Sequence, residues 1–395
     1  MTTYSCKEID ELWDRYLDGS CTPEEEQQVE AHLEHCPACQ QRLEQALAAQ
    51  AALVPPVPPE PAPPSGGEQQ RWMRRAKWRN RLGTVFNLFC AFILFSIVSG
   101  IITGLLYGLG GSDSTMNRLP KVISAAVGMT TPNVNVNSGG INSGFYFNLS
   151  MDYSLTKRVG YRDQILGRLQ GDMRFHLLQV NREWSGGAYQ SNLFFEYPTV
   201  GEELNEEQRQ YASESDGEVW HALEMLPEGT VSELAFSLDA LYSLQEIYDL
   251  FEGYDMDIVW YAFDTGDEER VANLGSYLYD GNGLWGMSDR LMLEYADNNS
   301  LQVWGDGPAK EQAFLRALED LQQNERWVRK VVRQPQLQER IDYVSEHGVR
   351  SYGLIVTGPT KELLKLSEHP HVTRPALGET DWWNWYQPNF SSVQY

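Results

Sequence analysis

Hydrophobic and polar positions change rhythm twice along this chain. Near the N-terminus Ile9, Leu12, Trp13, Tyr16 and Leu17 recur at helical spacing, the stripe of an amphipathic helix. Asp18-Gly19-Ser20 ends it, and Thr22-Pro23-Glu24-Glu25 opens a second helix. Thr22 is suited to the N-cap, Pro23 to the first helical position and Glu25 to a capping box. Val29 and Leu33 face inward on this helix. Pro37 ends it and is suited to open a third, which Leu43, Leu47 and several alanines carry to about Leu53. Residues 82–109 then contain no charged side chain. A helix of roughly 20 apolar residues crosses the ~30 Å hydrocarbon core of a bilayer, so this run predicts a single transmembrane helix. Beyond it the rhythm is mixed: 145–155, 192–197, 231–238, 256–263 and 351–357 read as strands, and 243–251, 310–332 and 360–368 as helices. Such a non-repeating order predicts an α+β domain. Residues 112–144 read as an extended stalk leading into it.

Charge settles orientation and narrows the partners. The formal net charge of the 395 residues is -24, yet six of the 31 basic residues fall within residues 71–81. An acidic chain is poorly suited to direct nucleic-acid binding, which needs clustered Lys and Arg. The basic run flanks the apolar run on its N-terminal side and so predicts a cytoplasmic N-terminus and an extracytoplasmic C-terminal part. Residues 1–50 are polar, so the span reads as an uncleaved anchor in the cell membrane. Within it Ser96, Gly100, Gly104 and Gly108 recur every four residues, placing small residues on one face where a second copy could approach as a homodimer. Residues 54–70 hold seven prolines followed by Ser65-Gly66-Gly67, a polyproline spacer with a flexible joint.

The five cysteines are Cys6, Cys21, Cys36, Cys39 and Cys90. Four lie in the first 39 residues beside a histidine, which suggests metal rather than a disulfide framework. Three short helices bury little core and need a staple. His32 and Cys36 are one turn apart, and Cys39 opens the third helix, where the helix dipole favours a thiolate. A closed tetrahedral zinc site needs a fourth ligand. Both Cys6 and Cys21 offer one, and Cys6 is preferred because it ties the first helix to the other two. The apolar face of the third helix, Leu43, Leu47 and Leu53, either packs back on the first helix or docks into a partner's groove.

The residues Cys6, Tyr16-Leu17-Asp18-Gly19, Pro23-Glu24-Glu25 and His32-Leu33-x-x-Cys36-Pro37-x-Cys39 resemble the bacterial zinc-binding anti-sigma domain over about residues 4–50. The Cys6-to-His32 interval fits that pattern too. The resemblance implies helices that wrap an extracytoplasmic-function sigma factor and hide its surfaces for core RNA polymerase. Some members lose zinc on thiol oxidation, which gives Cys21 a conceivable part. Further on, Val231-Ser232-Glu233-Leu234-Ala235-Phe236-Ser237-Leu238 and Ile258-Val259-Trp260-Tyr261 resemble the C-terminal domain of the sigma factor regulator family, over about 215–370. The expected organisation is therefore multi-domain: a small all-α zinc-stapled module (1–53), a linker with its basic run (54–81), a transmembrane helix (82–109), a stalk (110–144) and an α+β sensor-like region (145–395). The expected function is a membrane-anchored anti-sigma factor that releases its partner on an envelope signal. The alternative is an anchored extracytoplasmic binding or enzymatic domain with a zinc-stapled scaffold. No nucleophile elbow, zinc-protease or phosphate-loop motif is present. Asp255 and Asp257 share a strand face as a candidate cation site, with solvated strand ends the simpler reading. His369-Pro370-His371 reads as a surface turn, and Trp382, Trp383, Trp385 and Tyr386 form an aromatic cluster.

Overall fold

The computed structural model describes residues 5–52, 66–187, 192–198, 205–273, 278, 283–296 and 306–386. Residues 54–65 of the proline-rich spacer, and Leu53, lie outside the described residues. The chain divides into two compact units, Met1–Val85 and Phe86–Tyr395.

The first unit holds α1 (Cys6–Leu17), α2 (Pro23–Leu33) and α3 (Pro37–Ala52). Each boundary has a chemical cause. The Glu8 carboxylate accepts from the Ser5 N–H at 2.8 Å ahead of α1. Gly19, at φ 70°, takes the left-handed conformation that stops α1. Thr22 and Glu25 form the expected capping box on α2. The buried apolar core is Ile9, Trp13, Val29 and Leu33, with Leu12, Tyr16, Leu17 and Leu43 packed around it. Arg42 of α3 reaches back over the Trp13 ring and pairs with Asp10.

Helix α4 (Gly66–Gly108) is continuous and, from Arg71 on, long and apolar enough to cross a membrane. Its apolar side chains from Leu82 to Phe95 point outward. The residues expected as a stalk instead enter the fold. They form α5 (Thr115–Thr130), buried almost throughout from Leu119 onward, and β1 (Val134–Ser143). The stalk reading failed because Pro120 inside α5 reads as a helix breaker and the buried half, 125–130, shows no polar face. The Asn, Ser and Gly of β1 also resemble a loop.

Strand β1 starts an antiparallel meander with β2 (Asn148–Val159), β3 (Arg162–Arg174) and β4 (Leu177–Trp184). A second antiparallel sheet has the order β7-β6-β8-β5-β9, from β5 (Thr230–Tyr242), β6 (Asp257–Asp264), β7 (Gly286–Met287), β8 (Arg350–Pro359) and β9 (Val372–Trp382). Alternation divides its side chains between two cores. Leu234, Phe236, Leu354 and Val356 meet α5 and the helix Gly307–Gln323 on one face. Ala235, Tyr352 and Ile355 meet Leu193, Phe195 and Tyr197 on the other. The 192–197 segment therefore acts as a cover rather than the expected strand: it forms a Phe195–Leu278 bridge, and the Glu196 N–H donates to Ser237 Oγ at 2.8 Å. The Phe195 ring lies so close over Gly353 that a Cβ there would sit 2.3 Å from it. The expected helix 310–332 breaks at Asn324 into Gly307–Gln323 and Glu325–Val328. The expected helix 360–368 finishes as a 3-10 turn.

Buried polar groups fasten these layers. Lys157 of β2 pairs with Glu233 of β5 at 2.8 Å, and Asn133 donates to the same carboxylate at 2.6 Å. The Trp260 indole donates to the Gly128 carbonyl of α5 at 2.9 Å. Satisfying both partners is what makes such burial tolerable.

Candidate metal centre and the matching families

The ends of the three short helices bring Cys6, His32, Cys36 and Cys39 together, with their ligand atoms all within 4.8 Å of one another. Cys6 begins α1. His32 sits in the last turn of α2, and the Cys36 N–H donates to its carbonyl at 3.0 Å, extending that turn. Cys39 lies in the first turn of α3. The Cys6 and Cys36 Sγ atoms are 3.8 Å apart, and His32 Nε2 lies 3.6 Å from Cys6 Sγ and 3.5 Å from Cys39 Sγ. A tetrahedral zinc with Zn–S about 2.3 Å and Zn–N about 2.0 Å has S···S edges of about 3.8 Å and S···N edges of about 3.5 Å. The spacing fits a zinc tetrahedron and is far too long for a disulfide, whose S–S length is about 2.05 Å.

The thiols are electrostatically linked. The Cys39 backbone N–H lowers the Cys36 thiol to about 7, with help from the neighbouring thiols and His32. Burial, together with the adjacent Cys36, pushes Cys39 up to about 11. A cluster that holds one thiolate readily and resists the next lacks positive charge, which a divalent cation supplies. Cys21 stands apart from the cluster, its thiol 3.9 Å from the Leu12 carbonyl.

Of the third-helix face, Leu43 packs on the module's own core and Leu47 is exposed. On α4, the Ser96 hydroxyl meets the Tyr146 hydroxyl at 2.6 Å, and the Phe145 ring covers Gly100. Nothing lies within 4 Å of a Cβ built at Gly104 or Gly108. The sequence reading missed a polar row on the same helix, Ser99, Thr103 and Tyr107, which the structure buries. Its signal was three hydroxyls at helical spacing within an otherwise apolar run.

The other candidates are spoken for. Asp257 pairs with Arg158, and Asp255 accepts from the Trp385 indole at 3.0 Å. His371 meets Asp239 and Tyr242 at 3.0 Å each. Within the aromatic cluster, Trp385 stacks on Tyr161 at 4.5 Å while Trp382 is largely exposed.

A helical module carrying a Cys3His cluster, a helix long and apolar enough to cross a membrane, and a large domain of antiparallel sheets and helices have the layout of a membrane-type regulator. Three family models match in that same order: "Putative zinc-finger" over residues 6–40, sigma factor regulator N-terminal over 70–164, and sigma factor regulator C-terminal over 223–379. The chain is also 27% identical, over 295 residues, to the probable anti-sigma-M factor YhdL of Bacillus subtilis (strain 168), covering 71% of this chain and 74% of that protein. No solved structure matches. Together these matches support a zinc-finger anti-sigma factor of membrane type, a regulator and not an enzyme.

Proposed function

We propose that Cys6, His32, Cys36 and Cys39 hold one structural zinc ion, and that the module so fixed sequesters an extracytoplasmic-function sigma factor. The tetrahedral spacing of the four ligand atoms carries the reading. All four positions are filled by protein, which suits a structural rather than a catalytic ion. The ion would lock the ends of α1, α2 and α3 into one frame. Leu47, exposed on α3, together with Leu43 beside it, is the anchor offered to the partner. Helix α4 crosses the cell membrane once. The exposed basic residues from Arg71 to Arg81 stay on the cytoplasmic side and contact lipid headgroups there. The sheet domain lies outside and responds to an envelope condition. Self-association through the small-residue face of α4 is left to Gly104 and Gly108, since Phe145 already covers Gly100.

The test is capture with the full-length tagged chain, solubilised from membranes of the native host, with its metal content measured. A single sigma factor is expected with the intact chain, lost in His32→Ala and Cys36→Ala and weakened in Leu47→Glu. A protein that retains zinc but recovers no sigma factor would overturn the reading.

A further inference from the structure

The turns at one end of the meander are built against ordinary backbone preference. Tyr146 and Phe147 occupy the two central positions of the β1–β2 turn at φ 57° and 59°, and Phe175 enters the β3–β4 turn at φ 57°. Two consecutive positive φ values are the signature of a turn that Asn-Gly adopts without strain. A bulky residue there is strained. The chain thus spends backbone strain to set aromatic rings at these tips. Phe145, Phe175 and Leu177 are more than half exposed there, and Tyr146 nearly so.

These tips rest directly on α4. The Tyr146 N–H donates to Ser99 Oγ at 2.8 Å and the Phe147 N–H to Thr103 Oγ1 at 2.9 Å. The Tyr107 hydroxyl donates to the Phe147 and Phe175 carbonyls at 2.8 and 3.1 Å. The Phe175 N–H reaches the Phe147 carbonyl at 3.2 Å, and the Asn148 N–H reaches the Phe145 carbonyl at 3.3 Å. The backbone groups pointing toward the helix therefore have protein partners, the condition under which irregular backbone is tolerated at membrane depth.

Length places this contact at the edge of the bilayer. The uncharged run of residues 82–109 is about 42 Å of helix, against ~30 Å of hydrocarbon. About twenty residues counted from Leu82 end near Ile101, so Ser96, Ser99 and Gly100 fall inside the boundary and Thr103 and Tyr107 at or beyond it. The apolar surface is also continuous. Exposed Phe95 of α4 meets Tyr146 with ring centroids 5.9 Å apart, so lipid that surrounds Phe95 touches Tyr146 as well. Arg174 and His176, both exposed, flank Phe175 where headgroups would lie.

We propose that the two hairpin tips, residues 145–147 and 175–177, form a second membrane-contacting element that seats in the leaflet around the C-terminal end of α4. Aromatic rings are the side chains that settle at this depth. The element clamps the sheet domain to the end of the span, so a change in the sheet reaches the helix through Ser99, Thr103 and Tyr107. The inference rests on the reading of α4 as a membrane span.

The test uses the full-length protein in phosphatidylcholine–phosphatidylglycerol vesicles, with the photocrosslinker p-benzoylphenylalanine placed singly at Phe175, Leu177, Phe92 or Ile165. Phe92 reports the span. Ile165 is exposed but lies ten residues up β3 from Phe175, about 30 Å away. Lipid adducts at Phe175 and Leu177 are expected to match those at Phe92 and exceed those at Ile165 about ten-fold, since hydrocarbon surrounds only the former. Leu177 guards against a fold disturbed at Phe175, whose ring stacks on Phe147 at 4.5 Å. Adducts at Phe92 with none above the Ile165 level at the tips overturn the proposal while leaving the span. Crosslinks from the tips to a second copy of the chain also overturn it. No adduct at Phe92 overturns the span, and this inference with it.

Discussion

The two units of the chain reach order by different means. In the N-terminal unit, Ile9, Trp13, Val29 and Leu33 are all of the buried apolar core among the described residues. So few side chains do not offset the conformational entropy of three helices. In the second unit, both faces of β5, β6 and β8 are covered, and Trp260, Tyr261, Tyr352, Phe236 and Phe314 are fully enclosed. On the proposed reading a zinc ion fixes the first, whereas burial fixes the second. A regulator could use that difference, because chemistry at four ligand atoms would switch the small module and leave a large core untouched.

Metal removal is the strongest way to test that contrast. Structural zinc in small modules contributes an apparent ~10–16 kcal/mol near neutral pH, as much as the whole stability of an ordinary domain, roughly 5–15 kcal/mol. Chelation of the full-length protein is therefore expected to abolish amide-exchange protection in α1 to α3 while β5 and β8 keep theirs. Cys36→Ala should do the same, whereas Cys21→Ala should leave the metal content unchanged. Protection retained in α1 to α3 without metal would refute the contrast.

Next in size is a defect within the core of the second unit. Glu268 is fully buried and accepts from Arg340 at 3.0 Å and from the Thr265 N–H at 2.8 Å. The Arg340 guanidinium lies over the Trp285 ring at 5.0 Å. Burial drives the Glu268 carboxyl upward and Arg340 opposes this. Removing one partner of a buried pair typically costs about 3–5 kcal/mol, because the other charge is left behind. Asp267, 3.7 Å from Arg340, partly compensates, so Glu268→Ala is expected near the lower end. Urea unfolding followed by tryptophan fluorescence should show a lowered midpoint with zinc content unchanged. An unmoved midpoint would show that the pair does not support the domain.

The sequence carried these two regions unequally. The cap of α2 and the starts of α2 and α3 were legible, since Thr22, Pro23, Gly19 and Pro37 act locally. The Ser5–Glu8 cap of α1 was not read, and α2 stops at Leu33, before Pro37. The cluster was legible in part: His32, Cys36 and Cys39 stood out by their spacing, while Cys6 was preferred over Cys21 for tying the first helix to the other two. What the sequence hid depends on tertiary context. Helix α5 carries Pro120 within it, and its second half shows no polar face because residues 125–130 are buried. The 192–197 segment alternates like a strand yet only covers one. The hairpin tips looked like the beginning of β2, because Phe145, Tyr146 and Phe147 have high strand propensity, and nothing local revealed that they turn at positive φ against α4.

A smaller effect is expected at the cap of α2. Thr22 Oγ1 accepts from the Glu25 N–H, and the Glu25 carboxylate accepts from the Thr22 N–H at 3.0 Å. Losing such an N-cap costs about 1 kcal/mol. Thr22→Ala should therefore raise the chelator sensitivity of the module several-fold without unfolding the zinc-bound form. A zinc-free, unfolded module in this variant would show that the metal alone contributes less than expected.

The smallest effect comes from the same device in the second unit, where pH can isolate it. Ser243 and Glu246 form a capping box on the helix Leu244–Leu250. The Ser243 N–H, 2.8 Å from the Glu246 carboxylate, and its hydroxyl hold that carboxyl below its ordinary 4.5, with Arg350 at 3.1 Å adding to the effect. A carboxyl depressed in the folded state stabilises fully above its unfolded pKa. That contribution fades as pH falls through the folded value. The gap in urea midpoint between the natural protein and Glu246→Gln should therefore be constant above about pH 5 and close on acidification. A gap that persists in acid would mean that the glutamine disturbs packing instead. In the N-terminal unit Glu25 is likewise depressed, by the Thr22 N–H first and Arg15 second. There, however, acid also protonates the metal ligands. The equivalent titration at Glu25→Gln should be masked by loss of the ion, and such masking would itself be evidence that ligand bonds, rather than buried surface, hold that unit together.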